Sequence, residues 1–520
     1  MDHLRNESIE WAVTHIRRYG DTDIFPVPFE YEAIKHSWIN LKDAITKIDI
    51  AEYEGRPFRR MLVPKQGGGF RVAIQLDPID TIVYTALAYE AAEYVESFRL
   101  PLDSKVACSY RVEVGPKGEL FRKNNGWDDF HSKSHELAQS GDFEFVVTAD
   151  IADFYNQIGH HRVRNALELA GVDEERAKNI ENLLMNFTRG QSQGIPIGPS
   201  ASAIFSEACL SDVDNLLLRK GYVHTRYVDD FRIFCRTRQE ANMALHDLTE
   251  YLYTAHRLSL QSHKTEFFKI DDFISQELID PEEIENKTKE EKLEALKEFF
   301  NQYQDLVEGD EPDIDEIVRD NLVELFEACL DSKPMHLGTA KYILRRAAAL
   351  RTGVLREPVL DNVDKLIPVM REVAHYVIAT TNSRYAKVVG ERFRIGCLSA
   401  DYDFLPFVQS WLIHVLQDRM GNVLEKEIAQ LCEEYRDSLG LRPYALLARD
   451  HGYVDWVREQ KETWLNNSPW DRRAIIWAAK ALSTDEMNYW LKRVQNAGDI
   501  LDKAIAESML ITENANTTSK

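Results

Sequence analysis

In the first half of the chain, short β-rich apolar runs alternate with longer stretches in which apolar residues recur at helical spacing. The β-rich runs are bounded by turns that contain glycine or aspartate, which is typical of strands and hairpins. They lie at 61–63, 70–74, 143–149, 223–228 and 231–235, and the helical stretches lie at 162–170 and 199–218. This pattern predicts a domain that mixes helices with a small sheet.

After about residue 275 the strand signals fade, and amphipathic helices follow one another. Apolar stripes at helical spacing run over 314–329, 359–377 and 404–416. Successive helices with short connections predict an all-helical, repeat-like region, although no strict sequence repeat is present. We therefore expect an α+β fold class, with a mixed domain at 1–275, an all-helical, HEAT-like domain at 276–512 and a frayed tail at 513–520.

Charge is distributed unevenly along the 520 residues, whose net charge is −23. Residues 1–270 carry 32 basic and 40 acidic side chains, residues 271–320 carry 5 and 19, and residues 321–520 carry 26 and 27. Phosphate binding depends on lysine and arginine, so uniform acidity would argue against a nucleic-acid substrate. Because the excess is concentrated in one short junction, the global charge excludes no such substrate.

The six cysteines are scattered and show no metal-binding spacing, which favours buried thiols in a reducing compartment. Residues 1–20 are charged throughout and lack the apolar core of a signal peptide. No run approaches the roughly 20 apolar residues of a membrane span. We expect a soluble protein of the cytoplasm with no membrane partner.

The sharpest chemical signal is Tyr227-Val228-Asp229-Asp230, at the tip of a predicted hairpin. Asp-Asp-Phe occurs three times, at 128–130, 229–231 and 271–273. Two consecutive aspartates usually lie in a solvent-exposed turn. Only the middle copy has β-rich runs on both sides and an aromatic residue two positions before the pair. That context favours a carboxylate pair that projects beyond the strands and binds a divalent cation.

A second carboxylate, Asp150, ends the β-rich run at 143–149, and a helix N-cap is the alternative role for it. If this strand lies beside the 223–235 hairpin, Asp150 and Asp229 can share two metal ions. Two Mg²⁺ about 4 Å apart would orient a hydroxyl nucleophile and stabilise a leaving pyrophosphate in an in-line displacement. Mg²⁺ suits such sparse carboxylate sites, because water and phosphate complete its coordination shell.

Three weaker motifs surround these carboxylates in the sequence. A Gly- and Pro-rich loop at 193–200 precedes a helix whose N-terminus favours a phosphate or nucleotide, although the Walker ending is absent. In the basic hairpin, Lys65 and Arg71 are candidates to hold a triphosphate, and a solvated charged hairpin is the alternative. Lys264, in Ser262-His263-Lys264-Thr265, is a candidate acid for the leaving pyrophosphate.

In this order the motifs resemble the fingers and palm of reverse transcriptases. A basic hairpin, D-I-x-x-F-Y, Q-G-x-P-x-G-P, Y-V-D-D and H-K-T follow one another between residues 55 and 270. The resemblance implies that Tyr155 selects dNTPs by clashing with a ribose 2′-hydroxyl, and that Gln193 and Gly194 border the nucleotide pocket. It also implies catalytic roles for Asp150, Asp229, Asp230 and Lys264, triphosphate contacts for Lys65 and Arg71, and Mg²⁺ (or Mn²⁺) bound by Asp150, Ile151, Asp229 and Asp230.

The rest of the chain is similar to one group of these enzymes. No RNase H, integrase, maturase endonuclease or retron-type segment is recognisable, and a helical region stands where a thumb is expected. The box at 18–30 is similar to one in bacterial defence-associated reverse transcriptases, and the whole architecture resembles the abortive-infection (Abi) group, often encoded by prophages. That resemblance implies phage defence in the bacterial cytoplasm, a homo-oligomer, and template-independent synthesis of single-stranded DNA from dNTPs, primed by a protein tyrosine.

Three alternatives stay open from the sequence. Among 21 tyrosines, Tyr19 is our candidate for the priming residue, and simple packing at a helix end is its alternative role. The polymerase could instead copy an RNA or DNA template in the ordinary way, as an RNA-directed DNA polymerase. The chain could also be a catalytically retired polymerase that serves as a nucleic-acid-binding or scaffold protein, although the complete carboxylate set argues against this.

Overall fold

A computed structural model of the chain describes residues 2–22, 24–65, 68–122, 126–278, 316–331, 335 and 337–518. The chain divides into two compact units, each built from three segments. Unit 1 consists of Met1–Thr22, Lys42–Arg59 and Ile74–Glu290, and unit 2 consists of Asp23–Leu41, Arg60–Ala73 and Glu291–Lys520. Most of the acidic junction at 271–320 lies outside the described residues, so the domain boundary expected near 275 stays a prediction.

The strands and helices are numbered in chain order. The strands are β1 Arg59–Pro64, β2 Phe70–Gln75, β3 Phe145–Asp150, β4 Val223–Tyr227, β5 Asp230–Cys235 and β6 Glu266–Lys269. The helices before residue 279 are α1 Asn6–Tyr19, α2 Glu30–His36, α3 Trp38–Thr46, α4 Pro78–Phe98, α5 Gly126–Gln139, α6 Phe154–Gln157, α7 His160–Ala170, α8 Glu174–Phe187, α9 Ser200–Arg219, α10 Arg238–Tyr251 and α11 Ile270–Phe273. The later helices are α12 Glu316–Asp331, α13 Leu337–Ala349, α14 Arg356–Asp361, α15 Met370–Thr380, α16 Ala386–Leu398, α17 Pro406–Val415, α18 Glu425–Glu434, α19 Arg436–Leu439, α20 Arg442–His451, α21 Val454–Glu462, α22 Pro469–Ala478, α23 Thr484–Ala497 and α24 Ile500–Thr518.

A four-stranded antiparallel sheet in the order β4-β5-β3-β6 forms the centre of unit 1. The strand β3 therefore has a partner on each side, and its apolar residues Val146 and Val147 are fully buried. Its register places Asp150 directly opposite Asp230 of β5. The predicted adjacency of the 143–149 strand and the 223–235 hairpin is thus confirmed.

Two long helices of unit 1, α4 and α9, have most of their residues buried. The helix α4 begins at Pro78, after the Asp77 side chain accepts a hydrogen bond from the backbone N–H of Ile79, which is favourable N-cap chemistry. It packs against α9, whose buried face consists largely of small residues. Together they give the sheet and its turns a rigid support.

Unit 2 is helical apart from the β1–β2 hairpin, and the expected succession of helices is confirmed in its described residues. The stripe predicted at 359–377 is not one helix: it contains the end of α14, a 3₁₀ turn at Ile367–Val369 and most of α15. Pro368 lies in that 3₁₀ turn, and a proline lacks the N–H that a continuous helix would need. A regular HEAT-like repeat stays a prediction, and Ile314, predicted in the first stripe, lies outside the described residues.

The N-terminal segment of unit 2 is held inside its helical core. Glu30 is fully buried, and Arg442 donates to its two carboxylate oxygens at 2.8 and 2.6 Å. The Nε of Arg473 donates to the same carboxylate at 2.9 Å. Burial alone would raise the pKa of Glu30, but the two arginines outweigh it and lower that pKa. The box predicted at 18–30 is thus divided between the two units.

At the chain end, α24 continues to Thr518, and the frayed tail expected at 513–520 stays a prediction. The last two residues lie outside the described part of the chain. Within the described residues, every helix is too short or too polar to cross a membrane.

Candidate active site

The turn between β4 and β5 carries the Asp229-Asp230 pair. Val228 has a φ of +56°, a left-handed conformation that is unfavourable for a β-branched residue. Both of its peptide groups are held: its N–H donates to the Ser109 hydroxyl at 2.8 Å, and its carbonyl accepts from Nη1 of Arg226 at 2.8 Å. This backbone conformation defines where the two carboxylates project from the turn.

Three carboxylates meet at this end of the sheet. Oxygens of Asp150, Asp229 and Asp230 all lie within 4.8 Å of one another. Asp150 is buried, with 6% of its surface exposed, and the other two are half-buried. Oxygen ligands crowded in this way fit a hard divalent cation such as Mg²⁺, which is the chemistry expected for these residues.

Lys264 lies beside this cluster, and its Nζ donates to Oδ2 of Asp150 at 2.8 Å. Partial burial would lower the pKa of Lys264, but its hydrogen bond to Asp150 and the three carboxylates raise it instead. Burial, together with the charges of Asp229 and Asp150, raises the pKa of Asp230 to about 7. The site therefore has an excess of negative charge that one lysine offsets only in part.

Ile151 follows Asp150, and its buried hydrocarbon side chain has no atom that can bind a cation. Its N–H donates to the carbonyl of Asp229 at 3.2 Å, which ties the end of β3 to the carboxylate turn. Only its backbone carbonyl could serve as a ligand. Its place in the metal set stays a prediction.

The other two Asp-Asp-Phe copies have ordinary structural surroundings. Asp129 forms an ion pair with Lys105 at 2.7 Å, and Asp271 and Asp272 lie in the first turn of α11. Among the described residues, the middle copy alone is grouped with a third carboxylate in the geometry of a cation site. The β-rich runs on both sides of the middle copy therefore distinguished it correctly from the other two.

The loop at 193–195 lies against the segment that carries Tyr155. The N–H of Ile195 donates to the carbonyl of Tyr155 at 2.8 Å, and the N–H of Gly194 donates to the carbonyl of Ile158 at 2.8 Å. Gly194 has a φ of +96°, and a Cβ there would lie 3.2 Å from the carbonyl oxygen of Asn156, so glycine is required. The side chain of exposed Gln193 donates to Gln157 at 3.2 Å. Tyr155 and the Gln-Gly pair thus form one local surface.

The Tyr155 hydroxyl accepts a hydrogen bond from Ser206 of α9 at 3.4 Å. Burial raises the pKa of Tyr155 well above its usual value, and the charge of Asp229 adds to this rise. The phenol therefore stays neutral. Its predicted role in selecting the sugar stays a proposal.

Two further predicted groups belong to other parts of the fold. Lys65 and Arg71 are exposed on the β1–β2 hairpin, which belongs to unit 2, and the glycine-turn residue Gly67 lies outside the described residues. Tyr19 ends α1 with 41% of its surface exposed, and its ring packs against His15 and under Arg18. The triphosphate contacts and the priming role stay predictions.

Sequence reasoning missed a buried polar network behind the turn. Its members are Arg226 of β4, Glu207 and Asp214 of α9, and Ser109. A signal was present, since Arg226 interrupts a β-rich run and the two acids lie seven residues apart in a helix rich in alanine and leucine. Buried charges need partners, so these groups could have been paired.

Comparisons with known proteins agree with this geometry. Residues 63–296, a little under half of the chain, match the family model described as reverse transcriptase (RNA-dependent DNA polymerase). The matched segment includes the three clustered carboxylates, Tyr155 and Lys264. The matched segment is therefore a nucleotidyltransferase domain of reverse-transcriptase type.

Solved structures similar to this chain include two yeast telomerases. A Candida albicans telomerase in complex with a fragment of telomeric RNA is 12% identical with a TM-score of 0.31, and the alignment covers 74% of this chain and 71% of that one. An apo telomerase from Candida tropicalis is 11% identical with a TM-score of 0.34, covering 78% and 73%. A search of curated proteins finds no match.

Proposed function

We propose that this chain is a DNA polymerase of phage defence, of the abortive-infection type, which joins dNTPs with the help of two Mg²⁺ ions. The observation that carries the proposal is the cluster of Asp150, Asp229 and Asp230 at one sheet end, with Lys264 on Asp150 at 2.8 Å. In this proposal the carboxylates bind the metals and Lys264 protonates the leaving pyrophosphate. These groups would supply the two-metal chemistry of nucleotidyl transfer.

We further propose that synthesis is protein-primed and needs no template. A duplex channel requires sustained phosphate contacts, whereas residues 321–520 carry 26 basic and 27 acidic side chains. A tyrosine hydroxyl can replace a primer 3′-hydroxyl if it reaches the metals and loses its proton there. Tyr19 is our candidate for that hydroxyl, single-stranded DNA attached to tyrosine is the expected product, and the active form is a homo-oligomer in the bacterial cytoplasm.

The pocket for the incoming nucleotide follows from the same proposal. Tyr155 excludes the ribose 2′-hydroxyl and Gln193 and Gly194 border the nucleotide pocket, and contact with a triphosphate is a separate proposed role of Lys65 and Arg71. The hydrogen bonds between the 193–195 loop and the Tyr155 segment support the first two roles. The basic character of the hairpin supports the third.

A templated RNA-directed mode is the second candidate, because the matched family model describes RNA-dependent DNA polymerases. Purified protein incubated with Mg²⁺ and labelled dNTPs alone distinguishes the two modes. Label that migrates with the protein after heat and detergent supports protein priming, and mass spectrometry then identifies the modified tyrosine. Incorporation that requires added template and primer would instead establish the templated mode.

The same material tests whether the site is used at all. The double substitution Asp229→Ala and Asp230→Ala should abolish both incorporation and protection of cells against phage. Protection that survives the double substitution would show that the chain acts as a scaffold or binding protein, which is the third alternative.

A further inference from the structure

Arg226 is fully buried directly behind the carboxylate turn. Its guanidinium donates to Asp214 at 2.9 and 2.6 Å and to Glu207 at 3.1 Å. Its remaining nitrogen, Nη1, donates to the carbonyl of Val228 at 2.8 Å. Burial alone would lower the pKa of Arg226, but the charges of Asp214 and Glu207 outweigh it and raise that pKa. The side chain is thus always positively charged, and one of its nitrogens donates a hydrogen bond to the turn.

Ser109 holds the other side of the same peptide unit. Its hydroxyl accepts from the N–H of Val228 at 2.8 Å and donates to the carboxylate of Glu207. A second buried arginine, Arg99, contacts Glu207 at 2.8 Å and donates to the backbone carbonyls of Ser109 and Tyr110 at 2.7 and 3.0 Å. Glu207 therefore connects both contacts to the turn.

These contacts hold a residue in a conformation that it does not favour. Valine pays a steric penalty at a φ of +56°, so the turn would relax if its N–H and carbonyl were released. Rotation at Val228 would displace Asp229, which follows it directly, and would strain the pairing that holds Asp230 at the start of β5. The placement of the carboxylates thus depends in part on this backbone unit, beside the strand pairing of Asp230 and the contact of Ile151 with Asp229.

We propose that Arg226, Glu207 and Ser109 form a turn clamp, a set of positioning residues that hold Asp229 and Asp230 in the geometry that binds the metal ions. The inference rests on the proposed function, because it assumes that these carboxylates are metal ligands. The clamp residues do not touch metal or nucleotide, and they act through the backbone of Val228. Supporting groups of this kind typically change metal affinity or activity by about 10- to 100-fold when they are removed.

Ser109→Ala is the sharpest test, because it removes one hydroxyl that contacts both the turn and Glu207. Ser211→Ala is a matched control: Ser211 is equally buried on α9, and its hydroxyl donates only to the backbone carbonyl of Glu207 at 3.0 Å. Binding of Mn²⁺ to the purified full-length protein is measured without nucleotide, by titration calorimetry or by the loss of the free-ion paramagnetic resonance signal. Steady-state kinetics and thermal melts accompany it.

Ser109→Ala should weaken Mn²⁺ binding about 10-fold and lower kcat by a similar factor, while KM for dNTP stays within about twofold. Ser211→Ala should lower the melting temperature comparably and leave Mn²⁺ affinity unchanged. If Ser109→Ala lowers stability but binds Mn²⁺ as wild type does, the clamp has no positioning role and the inference is wrong.

A double-mutant comparison addresses the turn directly. Val228→Gly adopts a left-handed conformation without a steric penalty, so Ser109→Ala should matter less in that background. An undiminished loss of Mn²⁺ affinity on adding Ser109→Ala to Val228→Gly would overturn the inference. If the proposed function itself is wrong and the carboxylates do not bind metal, the result is different: wild-type protein would bind Mn²⁺ no better than the Asp229→Ala, Asp230→Ala variant.

Discussion

Replacing Asp230 by asparagine should stabilise the metal-free protein and remove its stabilisation by Mg²⁺. Asparagine keeps the shape of the side chain and removes its charge. In the folded protein, burial and the charges of Asp229 and Asp150 oppose ionisation of Asp230. In the unfolded chain Asp230 is neither buried nor close to these charges, so its ionised form is destabilising only in the folded state.

The pKa of Asp230 rises from an ordinary value of 3.8 to about 7. At 1.36 kcal/mol for each unit, this difference corresponds to roughly 4 kcal/mol of unfolding free energy. Because the folded-state pKa lies above the unfolded-state value, the folded state binds the proton more tightly. The contribution of Asp230 to stability is therefore most favourable below pH 3.8 and is lost between there and about pH 7. Above that range the full penalty applies to wild type, whereas the asparagine variant never carries it.

Thermal melts in chelator at about pH 6 and about pH 8, followed by Mg²⁺ titration at the higher pH, measure this directly. We expect the Asp230→Asn variant to melt above wild type in chelator, by more at pH 8 than at pH 6, and Mg²⁺ to raise the melting temperature of wild type only. The control is Asp271→Asn, an exposed aspartate in another Asp-Asp-Phe copy, which should change neither result. If the Asp230→Asn variant melts at or below the wild-type temperature in chelator at pH 8, repulsion between the three carboxylates does not destabilise the folded protein. If Mg²⁺ stabilises this variant as much as it stabilises wild type, Asp230 is not a metal ligand.

Three other substitutions test separate parts of the molecule. Glu30→Ala leaves buried Arg442 and Arg473 without their carboxylate partner, which should lower the free energy of unfolding by about 3–5 kcal/mol and lower the melting temperature. Glu30→Gln should lower it less, and an unchanged melting temperature for Glu30→Ala would contradict this ion network. Tyr155→Ala should admit rNTPs in incorporation assays while Tyr155→Phe keeps the preference for dNTPs, and an unaltered rNTP-to-dNTP ratio would show that the ring is not the sugar gate. Lys264→Ala should lower kcat by about 10²-fold with little change in KM for dNTP, so retention of wild-type kcat would exclude it as the general acid.

Much of unit 1 near the site was predictable because its signals are local. The β-rich runs around Asp150 and Asp229 stood out from their surroundings. When two such strands pair and each has a carboxylate at its end, few arrangements of the carboxylates are possible. The register that sets Asp150 opposite Asp230 then follows from the position of each strand end. The break in the 359–377 stripe could also have been predicted, since Pro368 lies within it, but the stripe was interpreted as continuous.

The remaining features depend on contacts between distant parts of the chain. Ser109 and Glu207 lie 98 positions apart, and Glu30 and Arg442 lie 412 apart. Periodicity in one segment carries no information about which buried charge will meet which partner. The grouping of 23–41 and of the basic hairpin with the helical unit has the same origin, because only tertiary packing decides it.

The central claim is that Asp150, Asp229 and Asp230 bind the metal ions with which this chain joins dNTPs. Mg²⁺-dependent incorporation of labelled dNTPs tests it most directly, with wild type, Asp229→Asn and the Asp271→Asn control compared in parallel, each with and without added primer and template. We predict incorporation by wild type and by the control, none by Asp229→Asn, and loss of wild-type activity in chelator. Equal incorporation by Asp229→Asn, or none by wild type under any of these conditions, would contradict the claim.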